Sequence, residues 1–168
     1  KKVIMACVMC GGIQAWSMEL VTMTVIPQGS LKSSTVTLQL DEKVAPKHVS
    51  RIVELVESGF YQEMKFHRVV PDFVVQTGDP LANGTGGSGQ NIAAEFSDAE
   101  FKAGSIGMAR SQDVNSADSQ FFICLSTKGC QHLTGEYTYL GQVSDEDLVL
   151  MQQVKMGDSM SLSYEYNT

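Results

Sequence analysis

The side chains with chemistry to offer are few in this 168-residue chain, and most groupings of them fall short of a site. His48, His67 and His132 are scattered, and neither Cys124 nor Cys130 stands at a two-residue spacing from another cysteine, so no metal-ligand pattern forms. The glycines of Gly84-Thr85-Gly86-Gly87-Ser88-Gly89 lack both the Lys-Ser/Thr and helix of a phosphate cradle and the dinucleotide fingerprint; turn geometry accounts for them. The same tract only approaches a Gly-x-Ser-x-Gly nucleophile elbow and misses its pattern, which removes the hydrolase reading. What stands out is Phe66-His67-Arg68-Val69-Val70-Pro71-Asp72-Phe73-Val74-Val75-Gln76-Thr77-Gly78-Asp79, together with Ser119-Gln120-Phe121-Phe122-Ile123. These tracts offer hydrogen-bond donors in Arg68, Gln76 and Gln120 beside apolar and aromatic surface.

The elements that must carry these residues are mostly short strands. Val36, Leu38 and Leu40 alternate with Thr35, Thr37 and Gln39, which predicts a half-buried strand over 35–40. Val49, Ile52, Val53 and Val56 recur at helical spacing between Pro46 and Gly59, which predicts an amphipathic helix over about 46–58. Strand-like runs follow at 65–70, 73–76, 106–109, 121–125 and 137–143, and their brevity suggests a barrel or sandwich. Asp145, Glu146 and Asp147 put negative charge where a helix N-terminus favours it, ahead of Leu148 and Met151, so a second helix is expected there. Met160, Leu162, Tyr164 and Tyr166 alternate with polar residues and predict a closing strand. Because neighbours on a strand face opposite ways, only one of Phe121 and Phe122 can face outward; Phe121 is assigned to the core with Phe66.

In order and spacing, the two tracts, with Gly84-Thr85-Gly86-Gly87, Gly107-Met108-Ala109-Arg110, Leu133-Thr134-Gly135 and Leu140-Gly141, resemble the cyclophilins. The resemblance runs from roughly Val36 to Val154. It implies a mainly β fold: a closed eight-stranded antiparallel barrel capped by two α-helices, with a shallow groove on its outer face that binds an X-Pro segment. It also implies peptidyl-prolyl cis–trans isomerase activity with no cofactor and no metal. Arg68 resembles the family's catalytic arginine, with Phe73 and Gln76 beside it. Phe73, Phe122 and Leu133 resemble the walls of the proline pocket, while Gln76, Ala109 and Gln120 resemble groove residues that hold the peptide backbone.

Those residue types suit the reaction. Rotating an amide costs about 18–20 kcal/mol through lost resonance, whereas the two X-Pro end states differ by only about 0.5–1 kcal/mol. No bond need break, so a fixed guanidinium that stabilises the twisted amide more than the planar one is sufficient. His67 is left out of the catalytic set, since the rotation needs no proton transfer. The match has departures, each of which bears on ligand preference. His132 stands where many members carry a groove Trp, Tyr137 where they carry a His, Val74 a Met and Arg110 an Asn. Thr77 replaces a Gly.

Composition frames the rest. Lys1 and Lys2 precede an uncharged run from Val3 to Ser17, which reads as a secretory signal peptide over 1–17, followed by one domain over 18–168. The expected location is therefore outside the cytoplasm, in a bacterial periplasm. Removal of that leader leaves 10 Lys and Arg against 19 Asp and Glu, a balance of −9 that favours neither nucleic acid nor anionic membranes. No segment approaches the length of a spanning helix, so no membrane insertion of the mature chain is expected. Cys124 follows an apolar run and reads as a small buried residue rather than half of a bridge to Cys130. The expected partners are proline-containing peptides and unfolded client proteins, and the expected state is a monomer. The alternative is a non-catalytic chaperone or binding module for Pro-containing segments, against which Arg68 argues, since binding alone needs no amide-twisting charge.

Overall fold

The computed structural model describes the backbone of residues 2–7 and 14–164 and the side chains of residues 18–164. It begins with two strands, β1 (Lys2–Cys7) and β2 (Gln14–Ile26), that pair antiparallel, so residues 2–7 and 14–17 of the stretch read as a leader are extended backbone. In β2, Val21, Met23 and Val25 are buried and alternate with half-buried Thr22 and Thr24. Strand β3 (Ser34–Asp41) repeats the pattern with Val36, Leu38 and Leu40 inward, as its alternation requires.

Helix α1 (Pro46–Glu57) starts on proline, whose missing N–H costs nothing at a first turn, and ends before Gly59 in the left-handed region at φ 77°. It buries Val49, Ile52, Leu55 and Val56. The run over 65–70 is not one strand. The chain divides into β4 (Met64–Lys65) and β5 (Arg68–Val70) because it changes partners: β4 pairs with the last strand, while β5 pairs with β6 (Val74–Thr77). Between them the Phe66 backbone bonds to Asp158 and Gly157 in the turn before that last strand.

There follow β7 (Ser105–Met108), β8 (Phe121–Cys124), a one-turn helix α2 (Thr127–Cys130), a 3-10 turn (Gln131–Leu133), β9 (Tyr139–Gln142), α3 (Asp145–Met151) and β10 (Ser159–Ser163). Ser144 caps α3 by accepting from the Asp147 N–H, and the three acidic residues occupy its first turn as expected.

The strand order is β4-β10-β2-β3-β9-β7-β8-β6-β5, with β1 added beside β2. This corrects the expectation of a closed eight-stranded barrel with two helices. The described residues form a curled sheet of ten antiparallel strands whose ladder stays open between β4 and β5, with three α-helices. The two end strands are consecutive in the chain, separated only by Phe66 and His67, and each spends its pairing elsewhere, β4 on β10 and β5 on β6. Among the described residues no helix is long and apolar enough to cross a membrane.

The sheet separates two apolar clusters. The larger fills its concave side with Val21, Leu38, Leu40, Phe66, Val75, Ile106, Met108, Phe121, Ile123 and Leu140, covered by α1 and α3. The smaller lies on the other face and contains Val74, Phe101, Phe122, Cys124, Cys130 and Leu133. Phe66 and Phe121 thus lie in the core as assigned, and Phe122 faces away from it.

A second correction concerns the cysteines. Cys124 is buried as expected, but it is bonded to Cys130, with Cα atoms 6.2 Å apart. The cause is α2: Ser126 accepts from the Gly129 N–H and donates to the Asp72 carbonyl, turning the chain back so that Cys130 reaches the outer face of β8.

Candidate functional site

The site is built where β5, β6, β7 and β8 lie side by side. Arg68 pairs with Gln76 across β5 and β6, Gln76 with Phe122 across β6 and β8, and Phe122 with Gly107 across β8 and β7. Register alone therefore aligns Arg68, Gln76 and Phe122 on one outward face. Phe73 joins them from the turn between β5 and β6. There Pro71 is followed by Asp72 in the left-handed region at φ 60°, which Asp tolerates better than most residues, and the Phe73 N–H bonds to the Val70 carbonyl.

Arg68, Phe73, Val74, Gln76, Ala109, Arg110, Phe122, His132, Leu133 and Tyr137 line one open cavity of about 230 Å³. Every residue expected at the site is therefore in this wall except Gln120. Gln120 lines the adjoining hollow, about 400 Å³, which shares Gln76, Ala109 and Arg110 with the first and is bounded by the glycine-rich loop.

The cavity floor is aromatic. Phe122 stacks on Phe101 at 5.8 Å between ring centroids and meets Tyr137 edge-on at 5.8 Å. Residue 107 must be glycine here, because a Cβ would run into both the Phe122 and Phe101 rings. On the far wall Phe73 stacks on His132 at 5.8 Å, so the histidine that replaces the family's usual Trp still presents a ring to the groove. The Cys124–Cys130 bridge ties β8 to the segment that continues directly into His132 and Leu133.

The polar edge is a chain of side chains. Arg68 is exposed; its Nη1 donates to Gln76 Oε1 at 3.3 Å, and its Cζ lies 5.7 Å from the Phe73 ring centroid. Gln76 Nε2 donates to Gln120 Oε1 at 2.9 Å, and Gln120 Nε2 donates to the Gly86 carbonyl at 2.9 Å. Arg110 is held differently: Nε and Nη2 donate to the Glu136 carbonyl, Nη1 to the Ser111 carbonyl, and the guanidinium lies 4.5 Å from the Tyr137 ring centroid.

Two carboxylates that sequence reasoning left without a role organise the loop behind this edge. Asp79 is buried and accepts from the N–H groups of Leu81, Asn83 and Gly84. Burial alone would raise its pKa, but the converging N–H groups outweigh it and hold the carboxyl below its usual range. Asp118 accepts from Ser88, Gly89 and Gln90. For Asp79, an Asp ahead of a Gly-rich turn is the signal that could have found it, since such carboxylates bond backbone N–H groups a few residues on, whereas Asp118 reaches back to residues 88–90 and has no local signal. Phe101 was also missed, and it lies in a loop without periodicity. The His67 pKa is lowered, first by burial of its ring, with Asp79 and the Gln120 side chain pulling the other way.

With this geometry in place, comparison with known proteins is direct. Residues 23–163 match the model of the cyclophilin type peptidyl-prolyl cis-trans isomerase/CLD family, and the chain belongs to that family. It is 46% identical over 125 residues to a probable peptidyl-prolyl cis-trans isomerase of Brucella suis, covering 67% of this chain and 63% of that one; the chain thus spans less than two thirds of that relative's length. A peptidyl-prolyl cis-trans isomerase of Synechococcus elongatus is 39% identical over 128 residues, covering 76% of this chain and 86% of that one. Among solved structures, a Cryptosporidium parvum cyclophilin-type isomerase determined in the presence of the dipeptide Ala-Pro is similar at a TM-score of 0.70 and 25% identity. That match covers 87% of this chain and 99% of the other.

Proposed function

We propose that this chain is a peptidyl-prolyl cis–trans isomerase that accelerates X-Pro rotation in folding or unfolded proteins. The observation that carries the reading is the placement of Arg68 on the rim of an apolar, aromatic-floored cavity, steadied by Gln76 and Phe73. The proline ring enters over Phe122 and Leu133. The carbonyl before it then rotates beside the guanidinium, which stabilises the twisted amide by hydrogen bonding more than it stabilises the planar one. Gln76 holds the peptide in register, and with the ring anchored the rotation is confined to one bond. The dipeptide present with the Cryptosporidium relative is of the substrate class this cavity suits.

The proposal extends to place and partners. The charge-then-apolar order of residues 1–17 and a disulfide suited to an oxidising compartment both support an exported, periplasmic protein acting as a monomer on unfolded clients. The pairing of Lys2–Cys7 with β2 is the opposing observation, and N-terminal sequencing of the secreted protein decides between a removed leader and a first strand. The activity is tested by exchange NMR of a short X-Pro peptide. Cross-peaks between cis and trans signals at catalytic protein concentration are expected. Saturable binding without exchange would instead make the chain a binding module.

A further inference from the structure

The polar edge of the site has a direction, and that direction is fixed at both ends. A backbone carbonyl can only accept a hydrogen bond, and a guanidinium can only donate. The Gly86 carbonyl therefore takes its proton from Gln120 Nε2, which turns Gln120 Oε1 toward Gln76. Gln76 must then present its Nε2 to Gln120, and this leaves its Oε1 facing Arg68. Reversing either amide would set donor against donor or acceptor against acceptor, so the relay has one consistent orientation.

Gln120 is well placed to hold that orientation. Its backbone carbonyl accepts from the Ala109 N–H, which fixes the main chain, and both polar atoms of its side chain are engaged within the protein. Such a side chain is better suited to positioning a neighbour than to holding a peptide. The Gly86 carbonyl is itself fixed. Asp79 gathers the N–H groups of the loop, and residue 86 must be glycine because a Cβ would meet the Asp79 carboxylate.

We propose that Gln120 is a positioning residue: referenced to the Gly86 carbonyl, it orients Gln76 and through it the Arg68 guanidinium. This rests on the isomerase reading and deepens it, since it assigns the glycine-rich loop a part in setting the catalytic arginine. It replaces the expectation that Gln120 serves mainly to hold substrate.

The test compares Gln120→Met with Gln120→Glu in the full chain, by exchange NMR on the same X-Pro peptide. Gln120→Met removes the relay and is expected to lower kcat about five- to tenfold, as for one lost polar link, with KM changed less than about twofold. Gln120→Glu is expected to be as impaired at about pH 7.5, where a carboxylate has no proton for the Gly86 carbonyl. As pH falls toward about 4, through the ordinary glutamate range, the carboxyl takes up a proton, donates again, and the activity ratio to wild type per folded molecule climbs. Arg68, His67, Asp79, Arg110 and Asp118 surround this position and are all present in the Met variant, whose flat ratio to wild type removes their contribution. A pH-independent ratio for Gln120→Glu, or a Met variant that raises KM alone, would overturn the proposal. Relaxation of the Arg68 Nε–H signal keeps the two readings apart, because it needs no turnover. Greater Arg68 mobility in Gln120→Met is expected; unchanged mobility overturns the relay. A wild-type protein without exchange would instead sink the isomerase reading alone.

Discussion

The same two strands, β6 and β8, serve both clusters, and their faces differ in kind. Inward they present Val75, Thr77, Phe121 and Ile123 to a core in which Phe121 and Ile123 are almost wholly buried. Outward they present Val74, Gln76, Phe122 and Cys124 to a smaller cluster that ends at an open cavity. The inner face has partners on every side, so its residues contribute chiefly to stability. The outer face buries Val74, Phe122 and Cys124 as fully, but Gln76 is only half-buried and the flanking Phe73, Ala109 and Tyr137 are only partly covered, so this face opens onto a cavity. Period-two alternation lets adjacent residues be assigned to the two tasks without compromise.

The sharpest way to break that comparison is to truncate neighbours. Phe121→Ala should cost about 3–5 kcal/mol in urea unfolding, as expected for a large aromatic removed from a packed core, with isomerisation per folded molecule unchanged. Phe122→Ala should cost a similar amount, since its ring is almost as buried and packs on Phe101 and Tyr137, but it should also raise KM for the peptide several-fold. An unchanged KM in Phe122→Ala, or a raised one in Phe121→Ala, would erase the distinction between the faces.

Reduction of Cys124–Cys130 is expected to cost about 2 kcal/mol, the loop it closes being short. It should also weaken peptide binding, because His132 and Leu133 follow the bridge directly. Thermal melting and peptide titration with and without a dithiol read both effects, and unchanged affinity would detach the bridge from the site.

A smaller effect is the pH dependence of stability. The His67 pKa is depressed by burial, so the unfolded chain takes up a proton more readily and stability falls as pH drops below about 6.5. Asp79 and Glu95 are also held below their ordinary values, for Glu95 because the N–H groups of His48 and Lys47 and the His48 ring outweigh its burial. Their contribution is complete above about 4.5 and is lost as pH falls further. Urea midpoints between about pH 8 and pH 3 should therefore decline in two steps, and His67→Gln should remove the upper one.

Much of this was legible in the residues. The alternation in β3, the helical spacing of α1 and the acidic start of α3 each reflect a face that must be buried, so pattern determines element. The opposite fates of Phe121 and Phe122 followed from strand geometry, and the order of the motif tracts brought ten of the eleven expected site residues into one cavity wall. What was not legible depends on tertiary partners. A run over 65–70 carries no sign that its two halves pair with different strands. The five residues between Cys124 and Cys130 do not disclose the turn that folds one onto the other. In β2, Val21, Met23 and Val25 alternate visibly, but the uncharged residues before them suit a leader and a strand alike. The Gly86 carbonyl is a backbone group and leaves no side-chain signature at all.

The central claim is that the outer face carries the chemistry and that Arg68 performs it. The most direct measurement is the exchange-NMR isomerisation rate of wild type and Arg68→Ala at matched folded concentration, with melting temperature recorded for both. A loss of about a hundredfold in kcat/KM, the scale of one preorganised donor to a transition state, is expected with no change in melting temperature, since Arg68 is exposed. Full catalysis by Arg68→Ala would contradict the claim.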